Sequence, residues 1–106
     1  MQIARKRMMH DVTKADVVIT NPTHLAVALK YDGYVMNAPQ LVAKGAGEIA
    51  KRIKDLAGKY DVPIVEDKKL ARSLYSLVEV GQEVPGVLYQ SVAEILAYIY
   101  KLKAEG

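Results

Sequence analysis

The segment Ala15-Asp16-Val17-Val18-Ile19-Thr20 constrains the fold most. It is a β-branched run without helical periodicity, and it reads as a buried strand. Asn21-Pro22 punctuates the chain directly after it. A second apolar run, Leu25-Ala26-Val27-Ala28-Leu29-Lys30-Tyr31, reads as another strand, closed by Asp32-Gly33. A loop then leads to Pro39, and Gln40-Leu41-Val42-Ala43-Lys44 reads as a third strand. Helical spacing takes over at 46–60, where Ile49, Ile53, Leu56, Ala57 and Tyr60 share one face. Glu48, Lys51, Arg52 and Asp55 lie on the other at pairing distance.

Val62-Pro63-Ile64-Val65-Glu66 is a short strand, with Pro63 tolerated near its start or on a sheet edge. Asp67 can cap a helix running through Leu70, Ala71, Leu74 and Tyr75. After Gly81 and Pro85, a last helix over about 86–104 carries Leu88, Val92, Ile95, Leu96 and Ile99 on one stripe. Short strands alternating with helices predict an α/β fold, a small mixed sheet of about four strands flanked by about four helices. With 106 residues, 51% of them apolar, one domain with its own core is expected. Residues 1–14 read as a basic helix or arm leading into a domain of residues 15–106.

Composition narrows the function classes. The chain has no Cys, so neither a disulfide nor a thiolate metal site can form. His10 and His24 stand 14 positions apart without a partner cysteine, and no metal site is expected. The net charge of +3 is a mild excess, and no nucleic-acid motif accompanies it. No apolar stretch is long enough to span a bilayer, and Arg5-Lys6-Arg7 is not followed by a signal-peptide core. Neither a serine-hydrolase elbow nor a phosphate loop is present. Lys51, Arg52, Lys54 and Lys59 can form a weak docking face for an acidic partner.

Two segments carry candidate chemistry. The first is Gly45-Ala46-Gly47-Glu48-Ile49-Ala50, which fits G-x-G-x-x-A, with Glu66 following 21 positions after Gly45. That is the spacing of a dinucleotide-binding fingerprint, with the acid on a ribose hydroxyl. The plainer reading is that Gly45 and Gly47 permit a tight strand-to-helix turn. The chain offers no second nucleotide-binding half.

The second is Asn21-Pro22-Thr23-His24. Asn-Pro commonly starts an ordinary turn. Its chemistry allows more. An asparagine forms a succinimide in two ways. Attack by the following backbone nitrogen deamidates the residue, and Pro22 closes that route because its nitrogen lies in a ring and bears no hydrogen. The remaining route sends the Asn21 side-chain nitrogen onto the Asn21 carbonyl carbon and breaks the Asn21–Pro22 bond, with Pro22 as the leaving amine. An amide nitrogen is a poor nucleophile, so the reaction needs alignment, proton removal and a stabilised oxyanion. Thr23 can position the turn through its hydroxyl. His24 can relay a proton, or serve only as a structural residue at a strand start. The reaction consumes its substrate, so it is a single turnover and not enzyme turnover.

At these residues the sequence resembles the FlhB/YscU family of type III secretion export-gate switch proteins. The likeness rests on Asn21-Pro22-Thr23-His24 and extends to Arg7-Met8-Met9, Ala15-Asp16-Val17-Val18-Ile19, the stretch 38–47, Leu70-Ala71-Arg72-Ser73-Leu74-Tyr75 and Pro85-Gly86-Val87-Leu88-Tyr89. The later segments look more like the flagellar branch than the injectisome branch. The resemblance implies self-cleavage between Asn21 and Pro22, with both pieces held in one α/β domain and no cofactor. It implies a place on the cytoplasmic face of the bacterial inner membrane, below a membrane part that precedes this segment. It further implies control of export substrate class, from rod and hook proteins to filament proteins. The implied partners are the other large export-gate protein, a secreted length-control protein and export substrates. A passive docking module, in which the cut is incidental, is the alternative.

Overall fold

The computed structural model describes residues 2–105. Met1 and Gly106, the outer ends of the expected spans 1–14 and 15–106, lie outside the described residues. The chain runs α1 (Gln2–Val12), β1 (Val17–Asn21), β2 (Leu25–Lys30), β3 (Gln40–Ala46), α2 (Glu48–Lys59), β4 (Ile64–Glu66), α3 (Lys68–Leu77), a 3-10 turn (Gly86–Leu88) and α4 (Tyr89–Glu105). The four strands form one mixed sheet in the order β3-β2-β1-β4. β1 pairs antiparallel with β2 and parallel with β4, and β2 pairs antiparallel with β3. The expected α/β architecture of four strands and four helices is the one observed.

The sheet is covered on both faces, which is why β1 reads as an unbroken apolar run. Val17 and Ile19 point to one side, with Val27, Leu29 and Leu41, against Leu70 and Leu74 of α3 and Val92, Leu96 and Ile99 of α4. Val18 points to the other, with Ala26, Ala28 and Ala43, against Ile53 and Ala57 of α2. Met9 and Val12, from the second half of α1, join that second cluster. Alternate residues of one strand therefore feed two cores, and every residue of β1 is buried.

Element ends differ from the sequence reading for local reasons. β1 starts at Val17, just after Asp16, whose carboxylate accepts the Tyr31 N–H at 2.7 Å. β3 runs on to Ala46 because Gly45 and Ala46 still pair with Ala26 and Leu25. Pro63 precedes β4, an edge strand, and its carbonyl accepts the Val18 N–H at 2.9 Å. Asp67 caps α3 as expected, accepting the Leu70 N–H at 3.0 Å. Tyr60 is a correction: it is the C-cap of α2, has left the helical path at φ −104° and ψ 16°, and is 51% exposed instead of lying on the core face.

Candidate self-cleavage site

Pro22, Thr23 and His24 form the connection between β1 and β2. The ladder is paired up to its last rung, Asn21 opposite Leu25. Among the described residues, Thr20 and Asn21 are the buried polar ones, whereas Thr23 and His24 are exposed. The turn thus holds its asparagine in the protein interior and its tip in water.

Four carbonyls around the Asn21–Pro22 bond have partners. Thr20 O accepts the Asp67 N–H at 2.9 Å, which ties the strand end to the start of α3. Asn21 O accepts the His24 N–H at 2.9 Å, closing a four-residue turn. Pro22 O accepts a hydrogen bond from Lys54 Nζ of α2. His24 O accepts the Gly47 N–H at 3.1 Å, from the residue that caps α2. The peptide is held by its neighbours on both sides of the Asn21–Pro22 bond, and its freedom to sample other geometries is correspondingly small.

The bond at Asn21 O has a chemical meaning. Attack of the Asn21 side-chain nitrogen on the Asn21 carbonyl carbon would place negative charge on that oxygen. The His24 N–H already points at it. A preplaced donor of this kind is worth about 3 kcal/mol in acyl-transfer chemistry. The sequence singled out the His24 imidazole and the Thr23 hydroxyl. Among the described residues, the hydrogen bonds that hold the turn use backbone groups and Lys54 instead.

Two open clefts flank the turn. One, of about 350 Å³, is lined by Asn21, Pro22, Thr23 and His24 together with Glu66, Lys68 and Arg72. The other borders Pro22 and Thr23 with Gly47, Lys51, Lys54 and Asp55 of α2. The four residues picked out in the sequence are therefore contiguous here. Lys54, Glu66, Lys68 and Arg72 are additions that the sequence did not link to them. Helical periodicity could place Lys54 on a polar edge of α2, but nothing local could reveal a contact with a residue 32 positions earlier.

The dinucleotide fingerprint resolves differently. Its strand and acid belong to β3 and β4, which lie at opposite edges of the sheet with β2 and β1 between them. A nucleotide-binding βαβ unit sets its two strands within one half of a parallel sheet, around the helix that receives the pyrophosphate. Gly45 lies inside β3, and a Cβ there would collide with Ile49 Cγ2 and sit 2.7 Å from Ile49 Cβ. Gly47 has φ 57°, a conformation that favours glycine, and its N–H is committed to His24 O. Both glycines serve the strand-to-helix turn. Glu66 stands beside the Asn21–His24 turn instead.

Comparison with known proteins matches these features. A model of the FlhB HrpN YscU SpaS family matches residues 1–99. The flagellar biosynthetic protein FlhB of Salmonella typhimurium is 55% identical over 100 residues, covering 94% of this chain and 26% of that protein. This chain therefore spans about a quarter of that relative's length. The crystal structure of the cytoplasmic domain of FlhB from Shewanella putrefaciens aligns with a TM-score of 0.89 at 39% identity, over 93% of this chain and 76% of that one. The EscU C-terminal domain, solved as an asparagine-to-alanine variant, aligns with a TM-score of 0.84 at 32% identity, over 87% of this chain and 92% of that one. EscU has also been solved with a proline-to-alanine change at the very next position.

Proposed function

The chain belongs to the FlhB HrpN YscU SpaS family, and from that membership we propose that it is the self-cleaving cytoplasmic switch domain of a flagellar-type protein export gate. Its single reaction is scission between Asn21 and Pro22. Asn21 supplies both nucleophile and electrophile. Pro22 is the leaving amine and closes the deamidation route. His24 contributes its backbone N–H to the developing oxyanion, and Thr23 with the His24 imidazole forms the solvent-facing tip of the turn. Residues 1–14 lead in from a membrane part, and residues 15–106 form the domain that is cut. Arg5, Lys6 and Arg7 then lie near the cytoplasmic membrane surface, where basic side chains are favoured. Among the described residues, no helix is long and apolar enough to cross a membrane.

The observation that carries this reading is the Asn21 carbonyl: it heads a proline-blocked turn and accepts the His24 N–H at 2.9 Å. The adjacent asparagine and proline substituted in EscU support it by analogy. The topology explains why a cut need not unfold the domain. β1 is an interior strand, paired along Val17–Asn21 with β2 and along Val18–Thr20 with β4. Residues 1–21 leave only by exposing Met9, Val12, Val17, Val18 and Ile19, all buried. The cut frees the turn while the ladder holds both pieces.

The switch acts on export substrate class, from rod and hook to filament proteins, and its partners are the other large export-gate protein, the length-control protein and the substrates. Asn21→Ala tests this: the variant folds, stays in one piece and fails to change substrate class. A docking reading, in which the cut is incidental, draws on one observation. An apolar groove of about 310 Å³ runs between Tyr31, Ala38-Pro39 and the Tyr89, Leu96 and Tyr100 side of α4. Normal switching by an uncut Asn21→Ala chain would favour that reading.

A further inference from the structure

Lys54 lies beside the buried stripe of α2, between Ala50 and Ala57 in the helical register, and is half-buried. Asp55 is its neighbour in sequence and Lys51 lies one turn earlier, both on the same cleft. Yet, among the described residues, its ammonium is set on a neutral backbone carbonyl, that of Pro22, and not on a carboxylate. A lysine gives up considerable rotamer freedom to hold one such position. The contact falls on the residue that must depart if the Asn21–Pro22 bond breaks.

We infer that Lys54 is a positioning residue for this scission, fixing Pro22 and making its nitrogen a better leaving group. The inference rests on the self-cleavage reading above and adds a residue to it. The Asn21 side-chain nitrogen bonds to the Asn21 carbonyl carbon, and the carbonyl oxygen takes the negative charge against the His24 N–H. The carbon–nitrogen bond to Pro22 then breaks. One proton leaves the attacking nitrogen, and one is gained by the Pro22 nitrogen. Asn21 ends as a C-terminal succinimide and Pro22 as a secondary amine, with no change of oxidation state.

Lys54 acts on this step in two ways. Its hydrogen bond fixes the Pro22 carbonyl, so the proline cannot swing away as the tetrahedral carbon forms. Its positive charge sits on the Pro22 carbonyl oxygen, three bonds from the departing nitrogen, and a nearby cation lowers the basicity of an amine. A less basic amine leaves more readily. Gly47, the cap of the same helix, holds His24 O from the other end of the turn. Helix α2 is thus a rigid support that grips the turn at two points.

The test follows fresh chain made by pulse-labelled cell-free synthesis, with appearance of fragment 22–106 read on denaturing gels and by mass. Lys54→Met is expected to slow the fragment's appearance roughly 10- to 100-fold, as loss of one charge-assisted hydrogen bond predicts. Lys54→Arg keeps a cation within reach and is expected to restore the rate to within about threefold. Lys51→Met, on the same helix and cleft, leaves the rate unchanged. Thermal unfolding of uncut Asn21→Ala versions of each variant separates rate from stability. If Lys54→Met does not fold, Lys54→Gln decides, because it can still donate to the carbonyl but carries no charge; it is expected to cut more slowly than wild type. Wild-type rates in Lys54→Met, or in a folded Lys54→Gln, overturn the role of the charge. Slow cutting by a folded Lys54→Arg overturns it too. If the wild-type chain is never cut, the underlying reading fails as well, so the two failures are distinguishable.

Discussion

Gly45→Ala makes a demanding test because it joins packing to chemistry. Gly45 pairs with Ala26 in the sheet, and Ile49 of α2 lies directly over it. A Cβ at position 45 would overlap Ile49 Cγ2 and stand 2.7 Å from Ile49 Cβ and 3.2 Å from the Ile49 carbonyl carbon. Carbon atoms rest about 3.5–4.0 Å apart, so α2 has to retreat by roughly 1 Å. Two of the three atoms belong to the stiff base of a β-branched residue and its backbone, and rotamer change relieves only the third. Ile53 and Ala57 hold the helix on the sheet with no exposure at all, so retreat loosens the core as well. Overpacking of this kind costs about 1–3 kcal/mol, and the stiffer unfolded chain returns about 0.4–1 kcal/mol of that. The net loss, about 1.3 kcal/mol, lowers Tm by about 5 °C in a domain of this size. Calorimetry in an Asn21→Ala background measures it without interference from the cut. The retreat also pulls Lys54 and Gly47 from the turn, so Gly45→Ala on the wild-type background is expected to release fragment 22–106 more slowly at 25 °C while still folded. A Tm within about 2 °C of the parent, with unchanged cutting, would refute both the packing account and the idea of α2 as a support.

Three further outcomes are expected. Pro22→Ala restores a backbone N–H at position 22, so scission slows and a deamidated full-length chain accumulates; unchanged clean scission by mass spectrometry would contradict the role given to proline. Asp67→Ala removes the cap on the Leu70 N–H and is expected to cost about 1 kcal/mol in urea unfolding. The Tyr100 phenol is held above its ordinary value by burial, and then by Asp16, Tyr31 and Asp32. As pH rises the unfolded chain ionises this tyrosine first, so its contribution is present below about pH 10 and is lost as pH climbs through the folded value. Urea midpoints from pH 9 to 11 should therefore decline less steeply in Tyr100→Phe than in the wild type.

Much of this molecule could be read from its residues because the local signals agree with the fold. β1 carries Val17, Val18 and Ile19 in sequence because both sheet faces are covered, and that leaves no alternation to confuse with a helix. Asp67 marks its helix through its own side chain. The Asn21-Pro22 candidate stands out in the sequence because the chemistry proposed for it needs only two adjacent residues. What stayed hidden depended on contacts between distant segments or on backbone atoms. The donor on Asn21 O is an amide that any residue but proline would provide at position 24. Lys54 looks like its neighbours Lys51 and Arg52 until the fold brings Pro22 against it. The pair Gly45 and Glu66 mimicked a nucleotide site because spacing cannot tell adjacent strands from strands at opposite edges of a sheet; the order β3-β2-β1-β4 puts two strands between them. Tyr60 kept the helical spacing one residue past the point where the backbone left the helix.

The most direct measurement is intact mass analysis of purified wild-type chain, denatured after incubation at neutral pH. Two polypeptides, residues 1–21 and 22–106, are predicted, and they should co-migrate as one species before denaturation. Persistent recovery of a single polypeptide of 106 residues would contradict the account at its root.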